Sequence, residues 1–217
     1  MAPSPKDVHQ LLSEHYDVKN WWPKTGPLDV FVGAILTQQA NWKNVQMALE
    51  NLWDAGKLTL PDLASMPRQE LEELIKPSGF FRQKAGRLQT AARYILESYG
   101  SIEAFLSKPT NVLRQDLLSL KGIGKETADS IMLYGGKHPV LVVDAYTRRM
   151  GSRLGWFGPK AGYDEMQEYL ESRLDRGTEL YQEFHAIIVE HCKTYCLPKP
   201  LCGKCPLKHE CPFGERF

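Results

Sequence analysis

No cysteine precedes Cys192, no strictly aliphatic run exceeds four residues, and neither sign of charge dominates the chain. Each of these absences excludes something. Runs of four aliphatic residues, of which residues 140–143 are one, leave nothing able to span a bilayer as a helix. Lys plus Arg number 27 and Asp plus Glu 26, a formal charge of +1, with 42% hydrophobic and 10% aromatic residues. A disordered chain would show fewer apolar residues and a larger net charge. The 217 residues suffice for one large domain or two small ones. Met1 to Asp7 carries charge with no apolar stretch after it, so no secretory signal is expected. The expectation is a soluble, cytoplasmic protein, nucleoid-associated if the source is bacterial or archaeal.

The neutral total hides a segregation. Lys76, Arg82, Lys84, Arg87 and Arg93 occupy a stretch without an acid. Asp164, Glu165, Glu168, Glu171, Asp175, Glu179 and Glu183 crowd a later stretch in which only Arg173 and Arg176 are basic. Two solvated helix faces of opposite sign, or a basic face for a polyanion with an acidic back, explain this equally well.

Where cysteines do occur they cluster. Cys196, Cys202, Cys205 and Cys211 read C-x5-C-x2-C-x5-C, among Pro198, Pro200, Pro206 and Pro212. In a cytosolic chain such a cluster points to metal rather than disulfides. Four thiolates from so short a loop satisfy either a tetrahedral zinc or a cubane of four irons, and spacing does not choose between them. Cys192 falls on the preceding helix and reads as a spare, packed thiol.

The remainder reads as helix after helix, an all-α protein. Helical patterns cover 6–15, 28–38, 42–53, 68–75, 83–98, 102–106, 112–118, 125–134, 146–154, 163–174 and 179–191. The 28–38 segment has almost no polar face and is expected to be central and buried. Residues 140–143 suit a short strand but have no evident partner.

Leu120-Lys121-Gly122-Ile123-Gly124 sits between two of these helices. Two glycines let the backbone turn sharply while Ile123 anchors the turn. Amides there and at Lys125 and Thr127 form a place for a phosphate oxygen, although an isolated G-x-G is more often an ordinary hairpin. Just beyond, an apolar segment delivers Asp144 to the start of a helix, as a helix cap, a catalytic carboxylate, or both.

The hairpin 120–128, the Val143-Asp144 step and the cysteine loop together resemble the endonuclease III superfamily of helix-hairpin-helix DNA glycosylases. The motifs occur in that family's order, and the likeness extends over nearly the whole chain. Leu36-Thr37-Gln38-Gln39-Ala40 resembles the segment whose glutamine, here Gln39, fills the gap left by an extruded base. Residues 79–85 resemble the loop that wedges into the opposite strand, with Phe80 at the wedge and Arg82 and Lys84 as DNA contacts. The resemblance implies a [4Fe–4S] cluster on the four cysteines rather than zinc, damaged double-stranded DNA as partner, and a monomer without membrane attachment. It further implies two helical lobes with the active site between them. One, residues 24–136, is a six-helix bundle ending in the hairpin. The other joins 1–23 to 137–217 and carries Asp144 and the cluster.

Departures from the family pattern are informative. Strand-cleaving members have a lysine where this chain has Glu126, which implies a monofunctional enzyme. The first cysteine gap is five residues where six is usual, and Lys121 replaces a common proline. Trp21-Trp22-Pro23, Trp42 and residues 76–80 resemble the 3-methyladenine-DNA glycosylase branch. A ring-alkylated base is cationic, so stacking against Trp22, Trp42 and Trp21 would add cation–π attraction, although these tryptophans equally suit a core. Asp144 would then stabilise an oxocarbenium-like sugar and orient water. Another lesion within the same family, such as oxidised pyrimidine, uracil or a mismatched base, is the nearer alternative; a non-catalytic DNA-binding module is the further one. The six histidines show no ligand spacing and read as packing or surface residues.

Overall fold

The computed structural model describes residues 2–19, 21–22 and 26–216. Among these the chain forms helices and no strand: α1 (Pro5–Ser13), α2 (Pro27–Leu36), α3 (Trp42–Asp54), α4 (Leu60–Ser65), α5 (Arg68–Leu74), α6 (Phe81–Tyr99), α7 (Ile102–Leu106), α8 (Thr110–Ser119), α9 (Lys125–Ser130), α10 (Ala145–Leu154), α11 (Tyr163–Glu171) and α12 (Thr178–Thr194). None of them is long and apolar enough to cross a membrane. The chain divides into two compact units, Lys24–His138 and Met1–Pro23 with Pro139–Phe217.

The Lys24–His138 unit is built on α2. Gly26 and Pro27 start it, and Val30 to Leu36 are all buried, so the helix has no solvent face. It packs against α3, α6, α7 and α9. Burying each large aliphatic side chain here contributes about 1.5–3 kcal/mol relative to exposure. Helix α6 lays Lys84, Ala85, Leu88, Ala91, Ala92 and Ile95 against this core in one stripe. The unit holds α2 to α9, eight helices where a six-helix bundle was expected. The one that matches none of the helical patterns is α4, which begins where the Thr59 hydroxyl accepts from the Asp62 amide at 3.1 Å. The helix expected over 125–134 is α-helical only to Ser130 and continues as a π-turn over Ile131–Gly135.

The other unit packs α10 and α1 against α12. Its apolar run Val140 to Val143 is buried yet forms no strand. Helix α11 supplies what a partner strand would have supplied. Glu171 accepts from the Leu141 amide at 2.7 Å, Gln167 donates to the Leu141 carbonyl at 2.7 Å, and the Tyr163 hydroxyl lies 3.4 Å from the Val143 amide. Residues four apart share a helix face, so one face of α11 holds the extended segment that ends at Asp144.

Candidate active site

The hairpin after α8 turns at Gly122, whose φ of 87° lies in the left-handed region. A Cβ there would also collide with the Arg87 side chain, so glycine is required twice over. Ile123 is buried and its amide donates to the Leu120 carbonyl at 3.0 Å. Gly122, Gly124 and Lys125 are exposed. Gln38 locks this turn to the end of α2: its Nε2 donates to the Gly122 carbonyl at 2.9 Å and to the Thr127 hydroxyl at 3.1 Å, and its Oε1 accepts from Arg87. One expected DNA contact is thereby corrected: Ile123 offers neither side chain nor amide. The Thr127 hydroxyl accepts from Gln38, whereas the contact expected of Thr127 was through its amide. Neither Gln38 nor Arg87 was anticipated in this role, and only the adjacency of Gln38 to Gln39 hinted at it.

Gln39 and Phe80 are both exposed, and both adopt left-handed backbone conformations, with φ of 53° and 46°. Phe80 is 60% exposed, which leaves a large apolar ring facing solvent. Gly79, with φ of 67°, precedes it. Such residues cost of order 1–3 kcal/mol each and persist only where their surroundings hold them.

The basic stretch is not a uniform basic face. Arg82 is exposed, with its guanidinium 5.7 Å from the Phe81 ring centre. Lys76 pairs with Glu73 at 2.9 Å, and Arg93 donates to the Ala64 carbonyl at 3.1 Å. Lys84, expected on DNA, is 1% exposed and cannot reach a phosphate. Its ammonium donates to the carbonyls of Leu36 at 2.8 Å and Ser78 at 2.7 Å. Burial, with a smaller push from Arg87, lowers its pKa to about 8.

Asp144 caps α10. Its Oδ1 accepts from the Thr147 amide at 2.7 Å and the Thr147 hydroxyl at 3.0 Å, and its Oδ2 lies 3.6 Å from His185 Nε2. Burial by itself would push the carboxyl up, but His185 and the Thr147 donors outweigh it and hold the pKa below the ordinary carboxylate value. The group is therefore a shielded, ionised carboxylate. His185, 5% exposed on α12, was not foreseen as part of this site. Trp21 meets the His185 ring edge-on at 5.6 Å and donates to Glu190 at 2.7 Å, while Trp22 lies 6.2 Å from Trp21. Trp42 opens α3 in the other unit and is half-buried. Glu126, in the first turn of α9, is exposed.

The C-terminal loop follows α12. Cys196, Cys202, Cys205 and Cys211 line one cavity with Arg153, His191, Tyr195 and Phe213; Cys192 does not line it and directs its thiol to the Tyr146 carbonyl at 3.5 Å. Arg153 donates to Cys196 Sγ at 3.2 Å and to the Leu197 carbonyl at 2.7 Å, and His191 Nε2 lies 3.4 Å from Cys205 Sγ. Hydrogen bonding from Cys192, with Arg153 in support, overcomes burial and lowers Cys196 to about 6. Burial raises Cys205 to about 11. Among the described residues no three His, Cys, Asp or Glu side chains converge on one metal-sized point.

Comparison with known proteins bears on this arrangement. The family model for the HhH-GPD superfamily base excision DNA repair protein matches residues 32–176. A protein of Methanocaldococcus jannaschii, provisionally named a DNA repair glycosylase, is 47% identical over 206 residues, 94% of each chain. Endonuclease III of Thermotoga maritima is 32% identical over 194 residues, covering 89% of this chain and 86% of that one. The crystal structure of Helicobacter pylori 3-methyladenine DNA glycosylase bound to 1,N6-ethenoadenine superposes with a TM-score of 0.79 at 32% identity, over 88% of this chain and 98% of that one. With its hairpin and buried, ionised aspartate, the chain belongs to the HhH-GPD superfamily of base excision DNA repair glycosylases.

Proposed function

We propose that this glycosylase is monofunctional and removes an alkylated purine such as 3-methyladenine from damaged double-stranded DNA, acting as a monomer. The observation that carries the reading is the pairing of a shielded, ionised Asp144 with a carboxylate, Glu126, at the position where strand-cleaving relatives place an amine. The exposed amides around Gly122, Gly124 and Lys125 receive a phosphate, with Arg82 nearby on α6 as a further cation. Phe80 wedges into the duplex, and Gln39 occupies the gap left by the extruded nucleotide. Trp22, Trp42 and Trp21 serve the base, whose positive charge favours aromatic faces.

The C1′–N bond then breaks with its electrons leaving on the base. A cationic alkylated base departs neutral, so no proton donor is needed. Asp144 stabilises the oxocarbenium-like sugar, water adds at C1′, and the water's proton passes to the Asp144 carboxylate and on to solvent, leaving an abasic sugar. Glu126 cannot form an imine with it, so the strand stays intact.

Cys196, Cys202, Cys205 and Cys211 would hold a [4Fe–4S] cluster. A cubane gives each thiolate its own iron, so its ligands surround a space, whereas zinc draws them onto one atom. Four cysteines lining one cavity supply the four thiolates that such a cluster takes. When bound, the cluster would supply a cross-link that closes the loop on itself.

Chromatography of free bases released from methylated DNA tests the substrate. Release of 3-methyladenine is expected. Release of uracil or an oxidised pyrimidine from single-lesion oligonucleotides, with no alkylated base from methylated DNA, would overturn it.

A further inference from the structure

Lys84 bridges the two segments that lead into the left-handed turns just described. Its ammonium binds the carbonyl of Leu36, the last residue of α2, and that of Ser78, which ends the 3-10 turn Lys76–Ser78. Gln39 follows the first carbonyl by three residues and Phe80 follows the second by two. Among the described residues only Gln39, Phe80 and Lys137 are non-glycine residues with positive φ. Two of those three thus sit immediately beyond the two carbonyls that a single buried cation grips.

The chemistry suits a clamp. Carbonyls at a helix C-terminus carry partial negative charge and favour a cation, and hydrogen bonds from a charged donor are the strong ones. Lys84 lies in the apolar stripe of α6, the helix that begins at Phe81, so the clamp is rooted in the core. Ser78 is 1% exposed and its hydroxyl donates to the Ile75 carbonyl at 2.7 Å, so the second anchor is fixed as well.

We propose that Lys84 is a positioning residue that couples the Gln39 and Phe80 turns, so that both enter the duplex as one rigid unit. This rests on the reading of Gln39 and Phe80 given under the proposed function. Lys84 touches no DNA itself and acts through the spacing of the two turns.

The test measures binding to a duplex containing a tetrahydrofuran abasic analogue, to the same duplex undamaged, and to the single strand carrying the analogue. Lys84→Met is expected to bind the analogue duplex about tenfold more weakly. Binding to the undamaged duplex and to the single strand should be unchanged, as should the slope of affinity against salt. A slope reduced by about one would mean a phosphate contact and overturn the proposal, as would equal loss on all three DNAs. Lys84→Gln, which keeps a shorter donor, is expected to fall between. A measurement with Lys84 in place guards against misfolding: losses from Gln39→Ala and Phe80→Ala should fall short of multiplying in the double variant, because the turns act together. Losses that multiply would overturn the coupling. If neither alanine variant weakens binding, the reading of Gln39 and Phe80 falls and the proposal with it. If both do and Lys84→Met does not, the proposal alone falls.

Discussion

On the proposed mechanism Asp144 would carry two tasks that a substitution can separate. As a cap it needs an oxygen for the Thr147 donors, and as a catalyst it needs a negative charge. Asparagine caps as well as aspartate, so Asp144→Asn should still fold and keep its DNA affinity while base excision falls about a hundredfold or more. Excision rates comparable to the parent would remove Asp144 from the mechanism. Thr147→Val deletes one donor to the carboxylate and leaves burial in place. The Asp144 pKa should then rise, and because excision needs the ionised form, the acid edge of the pH–rate profile should move to higher pH; an unmoved edge would contradict the assignment. Lys84 makes stability depend on pH in the alkaline range. The unfolded chain keeps the lysine proton up to its ordinary value of 10.5, while the folded protein releases it from about 8. Stability of the parent relative to Lys84→Met should therefore rise as pH goes from about 8 towards 10.5, measured by urea denaturation at each pH. Asp144 was legible in the sequence because an apolar run delivers it to a helix start just after the hairpin. His185 was not, since no spacing connects it to Asp144 and only the packing of α12 brings them together.

Among the elements, helices with a clear apolar stripe were readable and charged stretches were not. Lys84 shows why. Its place among Ala85, Leu88, Ala91, Ala92 and Ile95 is a core position on a helical period, and that periodicity outranks its charge. Residues 140–143 misled in another way, because the polar face of α11 takes the place of a partner strand, and side chains from a later helix cannot be foreseen from strand propensity. The cysteine loop was the most legible element. Replacing Cys202 or Cys205 by serine should abolish iron binding, whereas Cys192→Ser should leave iron content unchanged, because Cys192 does not line the cavity and serine keeps a donor for Cys196. Iron and sulfide analysis of the purified proteins checks this. One zinc and no iron would replace the cluster by zinc on the same ligands. Loss of metal in Cys192→Ser would show that the shortened first gap has shifted the ligand set.

For the whole molecule, five short motifs in the right order suffice to point to the superfamily, because each motif is a local solution to its own structural problem. What the order of motifs does not contain is the outcome of the reaction, and that hinges on Glu126. With no amine at that position the enzyme should hydrolyse the glycosidic bond and stop. The most direct measurement is a single-turnover reaction on an oligonucleotide bearing one alkylated purine, sampled with and without alkali and with borohydride present. The account predicts released base, a strand cut only after alkali, and no covalent protein–DNA adduct. A strand cut without alkali, together with efficient borohydride trapping of the unaltered protein, would show that another amine reaches the sugar and would contradict it.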